Sequence, residues 1–166
     1  MGRAFALLLA LAACAAACSR SADPDPHAVL VAVRGVAVDE RSQSPVVVLE
    51  EQGGARRLPI WIGFAEATSI ASELQSIAAQ RPNAHDLAKK LIDGMGGDVA
   101  RVVVTDLEGG VYYARIELVQ SGRRVDVDAR PSDAIALALR FHAPVFVEES
   151  LFVKALQAAG GEGDLI

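Results

Sequence analysis

The amino-acid sequence predicts an α+β fold, in which helices pack on a mixed or antiparallel sheet within a single compact domain. Short valine-rich stretches are separated by glycine-containing turns at 53–54, 109–110 and 121–122, which is typical of β-hairpins. Stretches with the apolar periodicity of a helix lie between these strands, so the two element types are intermixed along the chain. The 166 residues, 52% of them hydrophobic, suffice for one domain with a substantial core.

The first half of the predicted domain contains three strands followed by two helices. The strands are expected at residues 29–38, 45–50 and 57–62. Residues 64–80 carry apolar side chains at helical spacing, and residues 83–95 do so again before two glycines end the helix. The side chains expected to face the core are Ile70, Ala71, Leu74, Ile77 and Ala78 in the first helix and Leu87, Ala88, Leu91 and Met95 in the second.

The second half alternates between the two element types. Its elements are expected in this order: strands at 99–107, 111–119 and 124–128, a helix at 132–141, a strand at 144–147 and a helix at 150–159. The helix at 132–141 is apolar on nearly every face, which predicts that it is buried. The strand at 111–119 alternates, with Ala114, Ile116 and Leu118 expected inside and Tyr113, Arg115 and Glu117 expected outside.

Residues 1–18 are expected to form an export signal that is separate from the fold. Arg3 precedes an apolar stretch at 4–13 that is too short to span a bilayer. The Leu-Ala-Ala-Cys sequence ending at Cys14 resembles the lipobox of bacterial lipoproteins, and a weaker candidate ends at Cys18. The alternative is ordinary signal cleavage with both cysteines incidental. We expect a protein that is exported and lipid-anchored to the cell envelope, at its periplasmic face.

Composition predicts the other boundaries and excludes several kinds of chemistry. Residues 19–27 are polar and contain prolines, as in a tether, residues 28–157 form the domain, and residues 158–166 form a flexible Gly-rich tail. No cysteine follows Cys18, which excludes disulfides, thiolate metal sites and a cysteine nucleophile from the domain. The net charge of −5 excludes nucleic-acid binding through a general positive field, so such binding needs a local site or a metal.

Two similar segments, RPNAHD at 81–86 and RPSD at 130–133, each precede an apolar helical stretch. Proline holds the residue before it in extended geometry, and the asparagine or serine after it is a favourable helix N-cap. An aspartate in the first turn complements the helix dipole. Capping therefore explains the proline, the small polar residue and the aspartate, but it does not require Arg81 or Arg130.

The two arginines are consistent with a phosphate site. Arg81 and Arg130 would project beside helix N-termini, where backbone amides and guanidinium groups bind phosphate oxygens. Phosphodiester hydrolysis also needs carboxylates that hold a divalent metal or act as a general base. Asp128 and Asp133 flank Arg130 where a strand meets the next helix, so these three side chains are expected to form a compact polar cluster.

Most candidates also have a purely structural explanation. Asp86 would form a weak ion pair on a solvated helix face, and Asp126 would pair with an arginine across the hairpin. His85 is either a capping or packing histidine or an acid or base. Glu66 lies in the first turn of a helix, where it would complement the dipole.

Three stretches in the same order resemble the bifunctional nuclease domain family. They are LPIWIGFAEATSIASEL at 58–74, RPNAHDLAKKLI at 81–92 and VDARPSDAIALALRFHAPVFVEE at 127–149, and the similarity extends over about residues 29–152. The resemblance implies a compact α+β domain and a nuclease activity on both DNA and RNA. It places eight residues on the characteristic motif positions: Glu66, Arg81, His85, Asp86, Asp128, Arg130, Ser132 and Asp133.

The roles of these residues are assigned from their chemistry. The candidate ligands for Mg²⁺ or Mn²⁺, or alternatively bases, are Glu66, Asp128 and Asp133. The candidates for holding the scissile phosphate are Arg81, Arg130 and Ser132. His85 and Asp86 are the further candidates for acid or base.

Two functional hypotheses follow, because the export signal departs from the cytoplasmic or organellar character of the family. The first is an envelope-tethered nuclease, and the second is a non-catalytic envelope module that binds a protein or ligand with the same fold. The exposed hairpin strands are also compatible with a homo-oligomer.

Overall fold

The computed structural model describes residues 26–160. The predicted signal peptide, both lipidation candidates Cys14 and Cys18, most of the tether and the end of the tail lie outside the described residues. Within the described part of the chain, no helix is long and apolar enough to cross a membrane.

Seven strands form one mixed sheet, which confirms the predicted α+β class. They are β1 (Ala28–Val38), β2 (Pro45–Glu51), β3 (Arg57–Trp61), β4 (Gly97–Glu108), β5 (Val111–Gln120), β6 (Arg123–Ala129) and β7 (Val145–Glu148). Their order in the sheet is β3-β2-β1-β7-β4-β5-β6. Strands β4 and β7 run parallel, and the other neighbouring pairs run antiparallel. Strand β7, the last in the chain, therefore lies between β1 and β4 and joins the strands of the two halves of the domain into one sheet.

Four helices accompany the sheet: α1 (Phe64–Leu74), α2 (Ala84–Gly94), α3 (Pro131–Phe141) and α4 (Glu149–Gly160). Helix α3 contacts α1, α2, β4 and β5, and it is buried along nearly its whole length, as its apolar composition predicted. Its apolar side chains share one core with those that β4 and β5 direct to the same face of the sheet. Helix α3 thus holds the N-termini of α1 and α2 close to its own.

The prediction that the first helix extends to residue 80 is wrong, because α1 ends at Leu74. Ser76 adopts a left-handed conformation with φ 55°, and its amide donates to the Glu73 carbonyl. The Ile77 amide donates to the Ser72 carbonyl at 2.8 Å. These two bonds form a Schellman motif, which usually places glycine where Ser76 stands. The sequence therefore gave no sign of the stop, and Ile77 is exposed outside the core.

The buried face predicted for α2 is wrong at three of its four residues and right at Ala88. Leu87, Leu91 and Met95 are all more than half exposed, and the helix packs on the core through Ala88, as predicted, and through Ile92. The two apolar stripes lie on adjacent sides of the helix, since Ala88 and Ile92 each follow an exposed leucine by one position. Helical periodicity alone could not decide which stripe faces α3.

Glu117 in β5 lies on the face of the sheet that was predicted to point outwards, but it is only 4% exposed. Its carboxylate lies 2.8 Å from Nε of Arg101 on β4, so a buried ion pair occupies this position. Side chains at paired positions share a face of the sheet, and Glu117 pairs in register with Asp126. Arg115 likewise pairs with Asp128 and contacts Asp126 at 3.6 Å. Both aspartates therefore lie on the face opposite to α3.

Candidate active site

The N-termini of α1, α2 and α3 meet on one side of the sheet and supply the acids of the candidate site. Glu66, Asp86 and Asp133 are each the third residue of their helix, where a carboxylate complements the positive end of the dipole. Ser132, predicted as the N-cap of α3, does not have that position. Arg130 is the N-cap, because the proline after it suits the first helical residue, and Ser132 is buried in the first turn.

A capping box fixes the start of α2 and thereby the position of His85. The Oδ1 atom of Asn83 accepts hydrogen bonds from the backbone amides of His85 at 2.9 Å and Asp86 at 3.0 Å. The Asp86 carboxylate accepts a hydrogen bond from the Asn83 amide at 2.8 Å. The side chains of Asn83 and Asp86 thus accept hydrogen bonds from backbone amides at the start of α2 that have no acceptor within the helix.

Arg130 joins two of the acids at the protein surface. Its Nε donates to Asp133 Oδ2 at 2.7 Å, and its Nη2 donates to Glu66 Oε1 at 2.6 Å and to Asp133 Oδ1 at 3.0 Å. The Arg130 side chain is nevertheless 65% exposed. Its Nη1 donates to no acceptor within residues 26–160, which leaves these N–H groups available to a ligand.

His85 connects Asp133, the partner of Arg130 at the surface, to the interior of the protein. Its Nε2 lies 3.1 Å from Asp133 Oδ1, and its Nδ1 lies 2.9 Å from the hydroxyl of Ser69 in α1. The imidazole is mostly buried, and Ser69 is almost completely so. His85 and Asp133 are 48 residues apart in sequence, and the contact between α2 and α3 brings them together.

Sequence reasoning did not identify Arg140, which completes the interior of the site. Its Nε donates to Asp86 at 2.7 Å, its Nη1 to the Ala136 carbonyl at 2.9 Å and its Nη2 to Ser69 at 3.0 Å. Asn83 also donates to Ser69, at 3.1 Å. One signal was available, since Arg140 is the lone cation in an otherwise buried apolar helix, where a charge needs a partner.

The surroundings keep all three acids ionised at neutral pH. Burial raises the pKa of Asp133, but hydrogen bonds from Arg130 and His85 outweigh it, so the pKa lies below its ordinary value. The same balance of burial against hydrogen bonds lowers the pKa of Asp86. The pKa of Glu66 is lowered by its own backbone amide and by Arg130. Reciprocally, the two carboxylates raise the pKa of Arg130.

The acids predicted to hold a metal do not fit a divalent cation as they are arranged. The Arg130 guanidinium donates to one oxygen of Glu66 and to both oxygens of Asp133, and its positive charge lies between the two carboxylates where a metal would bind. Asp128 projects from the opposite face of the sheet. Among residues 26–160, no three His, Cys, Asp or Glu side chains are grouped so that they could hold a metal ion.

The two Arg-Pro segments are therefore not equivalent. Arg130 is at the centre of the cluster, whereas Arg81 is exposed ahead of α2 and forms no hydrogen bond or ion pair with any residue that the structure describes. The predicted cluster of Asp128, Arg130 and Asp133 is confirmed for the last two residues and wrong for Asp128. Arg130 and Asp133 contact each other. Asp128 does not join them, because it lies beside Arg115 on the face of the sheet opposite to α3, and the chain leaves β6 after Ala129 to begin that helix.

Comparison with known proteins decides the family. Residues 47–159 match the family model described as the bifunctional nuclease domain, which is more than half of the chain. The chain belongs to the bifunctional nuclease domain family. The matched region contains every member of the cluster, from Glu66 to Arg140, so the whole network lies within the bifunctional nuclease domain.

Relatives of this bifunctional nuclease domain occur in bacteria and plants. The chain is 42% identical over 125 residues to the uncharacterized protein Rv1829 of Mycobacterium tuberculosis, covering 75% of this chain and 74% of the relative. It is 30% identical over 122 residues to bifunctional nuclease 2 of Oryza sativa subsp. japonica (71% and 38%). It is 31% identical over 111 residues to bifunctional nuclease 2 of Arabidopsis thaliana (65% and 34%). The chain thus spans little more than a third of these plant proteins.

Proposed function

We propose that this protein is a nuclease that hydrolyses phosphodiester bonds of DNA, RNA or both, at the cluster of Glu66, His85, Arg130 and Asp133. The supporting observation is the exposed guanidinium of Arg130, held at the N-terminus of α3 between two ionised carboxylates. Membership of the family and the similarity to plant proteins named bifunctional nuclease 2 support the same reaction class.

Arg130 would bind the scissile phosphate. Its Nη1 is the part of the guanidinium that the two carboxylates leave unused, and guanidinium N–H groups match phosphate oxygens in geometry and charge. The first-turn amides of α3 add a favourable dipole for an anion at the same place. Since Glu66 and Asp133 fix Arg130 from two sides, the phosphate would meet a preorganised donor, which limits the entropy lost on binding.

The carboxylates would accept the proton of the attacking water. Glu66 and Asp133 are ionised at neutral pH and lie beside Arg130, so a water molecule bound next to the phosphate is within reach of a base. As the water oxygen bonds to phosphorus, its proton passes to a carboxylate and the bond to the leaving oxygen breaks. That oxygen then takes a proton from solvent.

Assistance by Mg²⁺ or Mn²⁺ stays a prediction. A cation shared by Glu66 and Asp133 would have to displace Arg130, because the guanidinium already bridges these two carboxylates. Cutting of nucleic acid should therefore be measured with Mg²⁺, with Mn²⁺ and with EDTA, for the wild-type protein and for each variant.

Two aspartates five positions apart provide a matched test. Cutting of single-stranded RNA and DNA by the purified protein should fall about 10²–10⁴-fold in Asp133→Asn, because this change removes an ionised carboxylate that holds both Arg130 and His85. Asp128→Asn makes the same chemical change on the opposite face of the sheet, and it should keep wild-type activity. Unfolding in urea would show that both variants are folded.

Other results would point elsewhere. If the pure wild-type protein cuts neither nucleic acid under any of the three metal conditions, the domain is a non-catalytic binding module. Equal loss of activity in the two aspartate variants would place the chemistry outside this cluster.

We further propose that the protein is exported and anchored to the cell envelope by a lipid on Cys14, with Cys18 as the alternative. The basis is the apolar stretch followed by a lipobox-like sequence. Mass spectrometry of the N-terminal peptide from membranes would identify the acylated cysteine. A peptide that begins at neither cysteine and carries no acyl group would refute the anchor.

A further inference from the structure

The hydroxyl of Ser69 has three polar neighbours, and their number restricts what each can do. Asn83 Nδ2 lies 3.1 Å away, Arg140 Nη2 lies 3.0 Å away and His85 Nδ1 lies 2.9 Å away. A serine hydroxyl has one hydrogen to donate and two lone pairs to accept with. Three close partners therefore use its whole capacity, at a position that is only 4% exposed.

Two of the three neighbours are donors without ambiguity. A guanidinium has no acceptor and is always protonated in proteins, so Arg140 donates to Ser69. The amide of Asn83 could in principle be rotated by 180°, which would exchange its nitrogen and oxygen. Its oxygen already accepts from the backbone amides of His85 and Asp86, so the nitrogen is the atom that faces Ser69.

The direction of the remaining bonds follows. Both lone pairs of Ser69 are occupied by donors, so its hydrogen is left for the third neighbour and Ser69 donates to His85 Nδ1. A nitrogen that accepts a hydrogen bond carries no proton, which places the imidazole proton on Nε2. That Nε2–H faces Asp133 Oδ1 at 3.1 Å and donates to it. A proton on Nδ1 would instead meet a hydroxyl oxygen with no free lone pair.

We propose that Ser69, oriented by Asn83 and Arg140, is a positioning residue that fixes His85 as the Nε2–H tautomer. His85 then serves the site as a hydrogen-bond donor that holds the Asp133 carboxylate, and it does not act as a general base. A base at His85 would need a lone pair at the nitrogen nearest the phosphate-binding arginine, and this is the nitrogen that carries the proton. The tautomer is independent of the proposed nuclease function, and only its effect on catalysis rests on that function.

The tautomer can be measured directly on the full chain. The chain contains three histidines, so ring-¹⁵N NMR with His85→Gln as the assignment variant identifies the two nitrogen signals of His85. In the wild-type protein at neutral pH, we expect a protonated-type shift for Nε2 and an unprotonated-type shift for Nδ1. The Nδ1 signal should move towards the protonated type in Ser69→Ala, where the hydroxyl no longer opposes a proton there. A wild-type ring with its proton on Nδ1, or on both nitrogens, would overturn the proposal.

An activity measurement separates positioning from a general loss of structure. Ser69→Ala should lower kcat about tenfold, the effect of one lost hydrogen bond, while KM changes little. Ser69→Thr keeps the hydroxyl and should recover both the kcat and the tautomer. Ser72→Ala makes the same change on the same helix, and it should leave both unchanged because Ser72 takes no part in the network.

The two proposals fail in different ways. If the protein cuts no nucleic acid but His85 shows the expected tautomer, the nuclease function fails and the positioning role of Ser69 stands. If the protein cuts nucleic acid while Ser69→Ala leaves the His85 signals and kcat unchanged, the positioning role alone is refuted.

Discussion

Replacement of Arg140 by methionine tests whether the buried part of the network stabilises the fold. Methionine keeps an unbranched apolar side chain within α3 but removes the guanidinium. The change therefore deletes the hydrogen bonds to Asp86, to Ser69 and to the Ala136 carbonyl, and it leaves most of the packing in place.

The expected cost is about 3 kcal/mol of unfolding free energy. A hydrogen bond to a charged group contributes about 1.5–3 kcal/mol and a neutral one about 1 kcal/mol, and removing one partner of a buried ion pair costs about 3–5 kcal/mol. The value lies at the lower end of that range for two reasons. The side chain of Asp86 is 27% exposed, and its carboxylate keeps the hydrogen bond from the Asn83 amide at 2.8 Å.

Urea unfolding, followed by circular dichroism, measures this loss. With a slope of about 2 kcal/mol/M, the midpoint should fall by about 1.5 M while the slope is unchanged. Arg41→Met is the matched control, because Arg41 is exposed, and its side chain should contribute less than about 0.5 kcal/mol. A loss below about 1 kcal/mol in Arg140→Met would show that the network contributes little stability and would refute this reasoning.

Three further changes probe other parts of the molecule. Glu117→Ala removes the carboxylate that pairs with buried Arg101 and should cost about 3 kcal/mol in urea unfolding, most of it recovered when Arg101 is also replaced by an apolar residue. Full cost in the double variant would contradict this account. Asp86→Asn should destabilise the protein most at neutral pH. The folded pKa of Asp86 lies below its ordinary value of 3.8, so its contribution is present above about pH 4 and disappears as the pH falls through the folded pKa. A difference from wild type that grew below pH 4 would be inconsistent with that sign. Gly63→Ala would place a Cβ against the carboxylate of Glu66, which must then swing away from Arg130. Activity should fall while the unfolding free energy drops by no more than about 1 kcal/mol, the cost of alanine in place of glycine at the N-cap of α1, and unchanged activity would show that Glu66 is dispensable.

The strands and the buried helix were predictable because their patterns are local. Alternation in β5 records which residues face α3, and the apolar composition of α3 records its burial. The end of α1 was not predictable, since Ser76 takes a left-handed conformation that sequence rules assign to glycine. The orientation of α2 was not predictable either, because two apolar stripes compete and only contact with α3 selects one.

The site residues that could be predicted are likewise those placed by local sequence signals, and the residues placed by contacts between distant parts of the chain could not be predicted. Capping signals placed Glu66, Asp86 and Asp133 in the first turns of their helices. Capping did not explain Arg81 or Arg130, and Arg130 is the residue at the centre of the cluster. Arg140 and Ser69 were missed because they meet across 71 residues. Asp128 was misplaced because its proximity in sequence to Arg130 suggested proximity in space. Strand β6 ends at Ala129, however, so Arg130 belongs to the start of α3, while Asp128 stays on the opposite face of the sheet beside Arg115.

The charge balance of the cluster indicates how a nucleic acid would have to bind. Glu66, Asp133 and Arg130 carry a formal charge of about −1 together when the carboxylates are ionised and His85 is neutral. A phosphodiester adds one more negative charge, in a chain whose net charge is already −5. The phosphate would therefore bind to Nη1 of a guanidinium whose charge is already outweighed by two carboxylates, and its attraction would be confined to Arg130 and the first turn of α3. Long-range steering would be weak at such a site, so substrate selection would depend on contacts at the cluster. Arg130 would then contact the phosphate, and it also holds both acids through its hydrogen bonds.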